Sequence, residues 1–402
     1  MKHNRIGRAV IFVIALLNVC VLASLLVAAT LPDLQSFKSE KLKEIELAIS
    51  NSIQSHNLPG AVICIGHKES FYLKAFGNRS IAPETSLMTE DTIFDAASLT
   101  KVIATAPSVM LLYERGKIAS LDDPVRKYIP EFDSDGREKI TIKHLLTHTS
   151  GLRAGISPNP PWVGYEIGIK LACAEKPRTP PGSNFLYSDV NFILLGEVVR
   201  RVSGKPLNEF AEKEIFLPLK MLDTGFLPKK DKLARVAPTQ YVGKEMLQGV
   251  VHDPVARNMG GVAGHAGVFT TASDLARFCR MFLNEGELDG AKIFNPETVR
   301  LMRSVQTPNL DIKRGLGWDI DSGYSKPRGK LFPVGSYGHT GFTGTALWID
   351  PYSKTFWIFL SNRVHPDGKG NVLALQTMLG TLVAESLADV DFSSLNKKEI
   401  TK

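Results

Sequence analysis

The chain has 402 residues, of which 44% are hydrophobic and 22% charged, a composition typical of a globular protein with a sizeable core. Its formal net charge of +7 is spread thinly, and because no block of basic residues is longer than a pair, nothing indicates nucleic-acid binding. The four cysteines lie far apart and form no Cys-x-x-Cys pair, which argues against a disulfide framework and against a cysteine zinc site.

Residues 9–31 form an apolar run near the start of the chain. At about 1.5 Å per residue, a helix over this run is long enough to cross a bilayer. Lys2, Arg5 and Arg8 precede it, which predicts a cytoplasmic N-terminus with the rest of the chain outside. Two interpretations stay open: an uncleaved signal anchor, which the length of the run favours, and a signal peptide cut after Ala29 that releases a secreted or periplasmic protein.

Strand patterns near both ends of the chain enclose a long, mainly helical middle. We therefore expect an α/β (α+β) fold, in which N-terminal and C-terminal strands form one antiparallel sheet flanked by helices, with a helical lobe inserted between them. The main predicted helices cover residues 36–57, 102–113, 192–202, 274–284 and 370–387. The main predicted strands cover residues 61–65, 69–77, 268–270, 315–320, 345–350 and 355–361.

The same patterns predict one large domain behind the N-terminal segment. The expected divisions are a cytoplasmic N-terminus (residues 1–8), the anchor or signal peptide (9–31), a linker (32–39), the folded domain (40–390) and a polar tail (391–402).

Ser98 and Lys101 stand at the start of the predicted helix over residues 102–113. Because they are three residues apart, their side chains share one face of a helix and can meet. A serine hydroxyl is a weak nucleophile until a base removes its proton, and a nearby lysine can take that proton if its pKa is lowered. By itself the Ser-x-x-Lys pattern is common by chance, and an N-cap serine beside a solvated lysine is the structural alternative.

Two later motifs accompany this pair. In chain order the three motifs are Ser98-x-x-Lys101, Tyr187-Ser188-Asp189 and His339-Thr340-Gly341. This order resembles the serine hydrolases related to class C β-lactamases and penicillin-binding DD-peptidases, which use Ser-x-x-Lys, Tyr-x-Asn and Lys-Thr-Gly or His-Thr-Gly. Residues 144–151 and 264–269 are also similar to stretches of that family. The resemblance runs from about residue 40 to about residue 387 and implies a β-lactamase/transpeptidase-like fold that works without a cofactor.

The resemblance also implies catalytic roles. Ser98 is the expected nucleophile, Lys101 holds or accepts its proton, and Tyr187 is the general base for attack and the acid for the leaving group. The main-chain N–H groups of Ser98 and Phe342 are expected to form the oxyanion hole. An acyl-enzyme on the serine is then hydrolysed by water.

The substrate-binding set departs from the family pattern at two positions. The implied set is Asp189, His339, Thr340, Gly341 and Phe342. Asp189 replaces an asparagine, and a carboxylate can only accept hydrogen bonds where an amide can donate them, so Asn191, two residues on, is the candidate for the missing amide. His339 replaces a lysine, so a fixed positive charge becomes a titratable one. Both departures argue against an efficient β-lactamase.

Several other polar residues have structural alternatives. His144 and His148 lie four apart, a spacing that can bind a metal, but no third ligand follows at a useful distance and structural roles are favoured. Arg257 is a candidate for contact with a substrate carboxylate or an ordinary surface arginine. An alternative zinc set consists of His252, Asp253 and His265. The favoured interpretation contains no metal.

An exported enzyme faces peptidoglycan, and residues 251–258 and 260–265 resemble members of the family associated with muropeptide hydrolysis, namely D-alanyl carboxypeptidase-like proteins and muramyl-peptide amidases. The favoured interpretation is therefore an exported serine hydrolase that cleaves amide bonds of cell-wall peptides. One alternative is a carboxylesterase of the same fold, and another is a weak β-lactamase or penicillin-binding sensor with slow turnover. The expected partners are a small-molecule or peptidoglycan-fragment substrate and the membrane through residues 9–31, with no nucleic acid and a monomeric state.

Overall fold

The structure is a computed structural model that describes residues 35–398. Its strands are β1 Gly60–His67, β2 Ser70–Ser80, β3 Ser86–Leu87, β4 Phe94–Asp95, β5 Gly225–Phe226, β6 Tyr241–Val242, β7 Glu245–Met246, β8 Val268–Thr270, β9 Glu287–Leu288, β10 Ala291–Lys292, β11 Lys313–Arg314, β12 Asp319–Asp321, β13 Tyr337–Gly341, β14 Thr345–Asp350 and β15 Thr355–Ser361. Its α-helices are α1 Ser39–Gln54, α2 Ala106–Glu114, α3 Ile142–Leu146, α4 Tyr165–Ala174, α5 Asp189–Ser203, α6 Leu207–Ala211, α7 Pro254–Asn258, α8 Ala272–Leu283, α9 Pro296–Arg303, α10 Leu373–Ser386 and α11 Phe392–Lys398.

One eight-stranded antiparallel sheet joins the two ends of the chain. Its strand order is β11-β12-β13-β14-β15-β1-β2-β3. The joint is the pairing of β1 with β15, which runs from Ala61 opposite Ser361 to His67 opposite Thr355. This arrangement confirms the predicted sheet of N-terminal and C-terminal strands, and the chain between β4 and β11 supplies the mainly helical lobe.

The central strand β1 is buried along its whole length because both faces of the sheet are covered. Val62 and Cys64 point into the core shared with the helical lobe. Ala61, Ile63 and Ile65 point to the opposite face, where they pack in a second core with residues of α1 and α10. The period-two alternation of a strand thus divides β1 between the two cores.

The predicted helix over residues 102–113 is composite. A 3₁₀ turn over Ala97–Leu99 and a π turn over Lys101–Thr105 precede α2. Pro107 has no N–H group, so inside a continuous α-helix it would remove one backbone hydrogen bond. Here it lies in the first turn of α2, where an N–H group has no partner within the helix. Single π turns are frequent at functional sites, and this one carries the lysine of the Ser-x-x-Lys motif.

The predicted strand over residues 315–320 is wrong in its first part. The Gly315 N–H donates to the carbonyl of Trp318, and the Gly317 N–H donates to the carbonyl of Leu146. Gly317 has a φ of +86°, which a residue with a side chain rarely adopts. These glycines therefore form a tight turn between β11 and β12, and the strand begins at Asp319.

The C-terminal residues that the structure describes include a helix that packs on the domain. The segment predicted as a polar tail contributes α11, where buried Phe392 meets Phe332 edge to face at 5.4 Å between ring centroids. The predicted anchor or signal peptide, residues 9–31, lies outside the described residues. Within residues 35–398, none of the helices combines the length and apolar character that crossing a membrane requires.

Gly264 offers a test of how tightly the lobe is packed at this point. A Cβ on Gly264 would lie 1.8 Å from the carbonyl oxygen of Phe192 in α5, whereas a Cβ on Gly225 would meet nothing within 4 Å. We expect Gly264→Ala to lower the free energy of unfolding by about 1–3 kcal/mol, because the clash is with backbone that cannot rotate away. Urea unfolding followed by circular dichroism measures this. Equal stabilities of Gly264→Ala and the control Gly225→Ala would contradict the packing described.

Candidate active site

Ser98 follows a strained turn that Asp95 holds in place. The Asp95 carboxylate accepts the N–H of Ala97 at 2.8 Å and the N–H of His252 at 2.7 Å. Ala97 has a φ of +47°, a conformation that costs a non-glycine residue roughly 1–3 kcal/mol and persists where surrounding structure fixes it. Burial raises the pKa of Asp95 to about 6. The turn places Ser98, which is partly exposed, at the floor of a cleft.

Lys101 lies fully buried beneath Ser98. Its Nζ donates to Ser98 Oγ at 3.0 Å and to the carbonyl oxygen of His265 at 2.9 Å. The same Nζ lies 2.7 Å from Asp189 Oδ1 and forms a salt bridge with it. The serine oxygen therefore accepts from Lys101, which leaves the Ser98 proton free for another base.

The charge of Asp189 decides the protonation state beneath the cleft. Burial by itself lowers the pKa of Lys101, but the Asp189 carboxylate and the Tyr187 oxygen together outweigh it, and the pKa of Lys101 lies above its usual value. Burial raises the pKa of Tyr187, and although the Lys101 ammonium acts against this, the pKa of Tyr187 also stays above its usual value. At neutral pH the pair is therefore an ammonium and a phenol.

His148 supports Tyr187 from behind. The two rings are stacked with centroids 4.4 Å apart, and His148 Nδ1 accepts the N–H of Ser188 at 3.0 Å. Burial lowers the pKa of His148 well below its usual value, as do the nearby charges of Arg314 and Lys101. His148 is thus a neutral ring that orients the residue before α5, in line with the structural role expected for it.

Two threonines attach the sheet to the serine turn. Thr343 Oγ1 donates to the carbonyl of Asp95 at 2.8 Å, and Thr345 Oγ1 donates to the carbonyl of Ala96 at 3.1 Å. Both threonines belong to the turn and strand that follow Phe342, so Phe342 is held at the same cleft as the serine. Strand β12 pairs with β13 through a single residue pair, Asp319 opposite Gly338, which leaves the rest of the β13 edge unpaired on that side.

His339 does not supply the positive charge that a lysine would. Its side chain is buried, and its Nδ1 lies 2.7 Å from the carbonyl oxygen of Thr340, a contact that requires a proton on Nδ1. Burial lowers the pKa of His339 well below its usual value, and the charges of Arg314 and Lys101 lower it further. His339 is therefore neutral at physiological pH.

The structure brings most of the predicted site residues together around one cleft of about 490 Å³. The predicted residues that line this cleft are Ser98, Tyr187, His339, Thr340, Gly341 and Phe342. Lys101 lies next to Ser98, and Asp189 lies next to Lys101. Asn191 is not brought to the cleft: it is fully buried, and its Oδ1 accepts the hydroxyl proton of Ser150 at 2.6 Å. The expectation that Asn191 supplies the missing amide does not fit this position.

One group of possible metal ligands is found among residues 35–398, and it lies next to Lys101. Asp189, Asp253 and His265 each place a ligand atom within 4.8 Å of the others. The Lys101 ammonium already lies against this group, so a divalent ion there would face a buried positive charge. The alternative zinc set of the sequence analysis contained His252 in place of Asp189, and the Nε2 of His252 contacts Gln240 Oε1 at 2.8 Å. We therefore interpret this group as the surroundings of the Lys101 ammonium and not as a metal site.

Two arginines that the sequence analysis did not select line the cleft. Arg314 is fully buried and pairs with Asp319 at 3.1 Å, and Arg363 lies two residues after β15. Arg257, for which a substrate contact and an ordinary surface position were both left open, donates to the carbonyls of Val251 and His252, both at 2.9 Å, and supports its own loop. An arginine two residues after a predicted strand, as Arg363 is, was the signal available in the sequence.

Replacing Asp189 with asparagine tests the electrostatics of this site. The Asp189 charge raises the pKa of both Lys101 and Tyr187. We propose that this pair takes the proton of Ser98, for which it must first lose a proton of its own. We therefore expect kcat/KM to rise with pH and Asp189→Asn to shift this rise to lower pH. Hydrolysis of a p-nitrophenyl ester between about pH 5 and about pH 10 measures the profile.

The control for this variant is Asp122→Asn, which changes an exposed carboxylate that pairs with Lys143 on the surface. Its pH profile should match that of the wild type. An unshifted profile in Asp189→Asn would contradict the assignment of Asp189 as the group that holds the proton on Lys101.

A family model and a curated relative both match most of this chain. The model of the family described as "Beta-lactamase" matches residues 45–380. A protein of Escherichia coli (strain K12) named "Putative D-alanyl-D-alanine carboxypeptidase" is 32% identical over 376 residues, which cover 83% of this chain and 85% of the relative.

Solved structures show the same fold. A class C β-lactamase has a TM-score of 0.71 at 20% identity, covering 88% of this chain and 98% of that one. The octameric penicillin-binding protein homologue from Pyrococcus abyssi has a TM-score of 0.66 at 25% identity, covering 86% of this chain and 79% of that one. The match of the family model over most of the chain, together with these likenesses, shows that the chain belongs to the β-lactamase family of serine hydrolases.

Proposed function

We propose that this protein is an exported hydrolase that cleaves amide bonds of cell-wall peptides through an acyl-enzyme on Ser98. The observation that carries the proposal is the contact of 3.0 Å between Lys101 Nζ and Ser98 Oγ at the floor of the cleft. The E. coli relative, whose name describes a D-alanyl-D-alanine carboxypeptidase, supports an amide of a cell-wall peptide as the scissile bond.

In the proposed mechanism, Tyr187 and Lys101 share the proton transfers. After the pair has lost one proton, it accepts the Ser98 proton as Oγ attacks the carbonyl carbon of the substrate. Tyr187, which interacts with both Ser98 and Lys101, then protonates the leaving amine, and the C–N bond breaks. Water attacks the resulting ester by the reverse sequence, and the acid product and free Ser98 are released.

The backbone supports the same reaction. The N–H groups of Ser98 and Phe342 are the proposed donors to the oxyanion, which carries the negative charge of the tetrahedral intermediate. The unpaired part of the β13 edge, from His339 to Gly341, offers backbone groups to an extended substrate. A peptide can add to such an edge as a further strand, which favours a peptide over a compact ester.

The location outside the cytoplasm is part of the proposal. It rests on residues 9–31, whose apolar length fits an anchor or a signal peptide, and on the basic residues before them. With residues 40–390 outside the cytoplasm as one hydrolase domain, the active site would face peptidoglycan. We propose a monomer, with the membrane contacted only through the N-terminal segment.

The neutral His339 favours a second candidate function, a carboxylesterase that hydrolyses short uncharged acyl esters. Such a substrate needs no positive charge opposite a carboxylate, and His339 supplies none. Relative turnover of a short p-nitrophenyl ester and a muropeptide separates the two functions. A large preference for the ester would favour the carboxylesterase.

The amidase proposal predicts that the wild type releases an amine from muropeptides and that Ser98→Ala does so at least ~10³-fold more slowly, because the nucleophile is gone. Amine release and product masses measure this. A fluorophosphonate should add to the wild type and not to Ser98→Ala, as seen by intact-protein mass. The control is Ser55→Ala, which changes an exposed serine at the end of α1. Equal rates in the wild type and Ser98→Ala would contradict the proposal.

The departures at Asp189 and His339 predict slow reaction with penicillin. We expect His339→Lys to raise the rate of penicilloyl adduct formation, because a fixed cation at the cleft attracts the carboxylate of the β-lactam. Time-resolved intact-protein mass measures the adduct, and His56→Lys, a change at an exposed histidine, is the control. A fast, stable adduct on the wild type would instead favour a penicillin-binding sensor.

A further inference from the structure

We propose that Arg363 binds a free carboxylate on the acyl part of the substrate, on the Phe342 side of Ser98. The proposal deepens the proposed function and relies on it for the reactive Ser98. It makes Arg363 the residue that determines specificity for acidic acyl groups.

The distribution of charge around the cleft singles out Arg363. Of the basic residues that line the cleft, Arg314 is paired with Asp319 at 3.1 Å, and Lys369 is paired with Asp367 at 2.7 Å. Among residues 35–398, no aspartate or glutamate forms a salt bridge with Arg363. Burial lowers the pKa of the Arg363 guanidinium, and no neighbouring carboxylate in the described part of the chain acts against this. Arg363 is therefore an uncompensated cation in the wall of the cleft.

The guanidinium of Arg363 is held in a fixed orientation. Its Nε donates to the carbonyl of Phe342 at 2.8 Å, and its Nη1 donates to the carbonyl of Gly370 at 2.7 Å. The group also lies over the Phe342 ring, 4.5 Å from the centroid. These two hydrogen bonds use two of the five N–H groups, so donors remain for a ligand, and a guanidinium can bind a carboxylate through two parallel bonds.

The position of Arg363 indicates which part of the substrate it meets. Tyr187, the proposed proton donor to the leaving group, lies beside His339 with ring centroids 5.9 Å apart. The leaving group is then on the His339 side of Ser98, and the acyl group extends past the oxyanion hole towards Phe342. Because Arg363 holds the carbonyl of Phe342, it stands on the acyl side.

This assignment explains why the cleft can lack a cation at His339 and still select an acidic substrate. A carboxylate on the acyl side would be met by a partly desolvated guanidinium, where charge-assisted hydrogen bonds are stronger than at an open surface. The expected substrate class is therefore an acyl donor, such as a peptide with a free acidic group, whose carboxylate is separated from the scissile carbonyl by a short chain.

A matched pair of esters tests the proposal without requiring the amide substrate. Mono-p-nitrophenyl adipate carries a carboxylate on its acyl chain, and the p-nitrophenyl ester of adipamic acid carries a neutral carboxamide in the same place. We expect the wild type to prefer the adipate, in kcat/KM corrected for spontaneous hydrolysis, by about 10-fold to 100-fold. Arg363→Gln should lose this preference because its kcat/KM for the adipate falls while its kcat/KM for the adipamic ester stays the same. Arg363→Lys should keep part of the preference.

The comparison of the two esters separates recognition from structural support. If Arg363→Gln slows both esters equally, or leaves the adipate preference intact, the proposal is overturned. The control is Lys369→Gln, which should leave the preference unchanged, and loss of preference there would assign the role to Lys369. If muropeptides are not cleaved but the adipate preference depends on Arg363, only the proposed amide substrate fails. If neither ester acylates Ser98, both proposals fail.

Discussion

The buried ammonium of Lys101 is the constraint on which the site depends. Burying a charged group costs several kcal/mol unless other groups meet it at close range. Here Ser98 Oγ, Asp189 and the carbonyl of His265 do so, all within 3.0 Å. These partners come from three separate segments of the chain, so the serine turn, the start of α5 and the loop that contains Gly264 and His265 must assemble together.

Close backbone packing makes that assembly specific. Gly264 precedes His265 and leaves room for the carbonyl of Phe192 in α5, and its own carbonyl accepts the Thr105 hydroxyl at 2.6 Å. Thr343 and Thr345 attach the sheet to the serine turn in the same way, through main-chain carbonyls. Ser98 is therefore fixed from the lobe on one side and from the sheet on the other, and the cleft lies where the two meet.

The electrostatics of the cleft follow from how each charge is compensated. Asp189 places its negative charge against Lys101, where an asparagine would leave the lysine with a neutral partner. His339 is buried beside positive charges and so carries none of its own. The cleft therefore has no positive charge at His339, where the family motif can have a lysine, and has one beside Phe342, where the guanidinium of Arg363 lies. The two departures from the family motifs change where the site is charged and leave the contact between Ser98 and Lys101 in place.

The sequence was sufficient to predict the general architecture and the central residues. The strands over residues 268–270, 345–350 and 355–361 were predicted with the bounds that the structure has, because each combines β-branched or aromatic residues with clear turn signals. The order of Ser98, Tyr187 and His339 along the chain identified the family. The turn over residues 315–318 was missed because its aromatic and aliphatic residues resemble a strand, and a positive φ at Gly317 leaves no mark in hydrophobic periodicity.

Tertiary structure decided what depends on neighbours distant in the chain. Asn191 looked available next to Asp189, but the helix turns it into the core, where Ser150 binds it. Arg257 was left open between a substrate contact and a surface position, and the structure shows that it supports its own loop. Arg363 is held at the cleft by the carbonyls of Phe342 and Gly370. Local sequence determines helices, strands and the identity of reactive groups, because these follow from short-range patterns. The protonation and exposure of each group depend on desolvation and on charges brought close by folding, and no local pattern contains them.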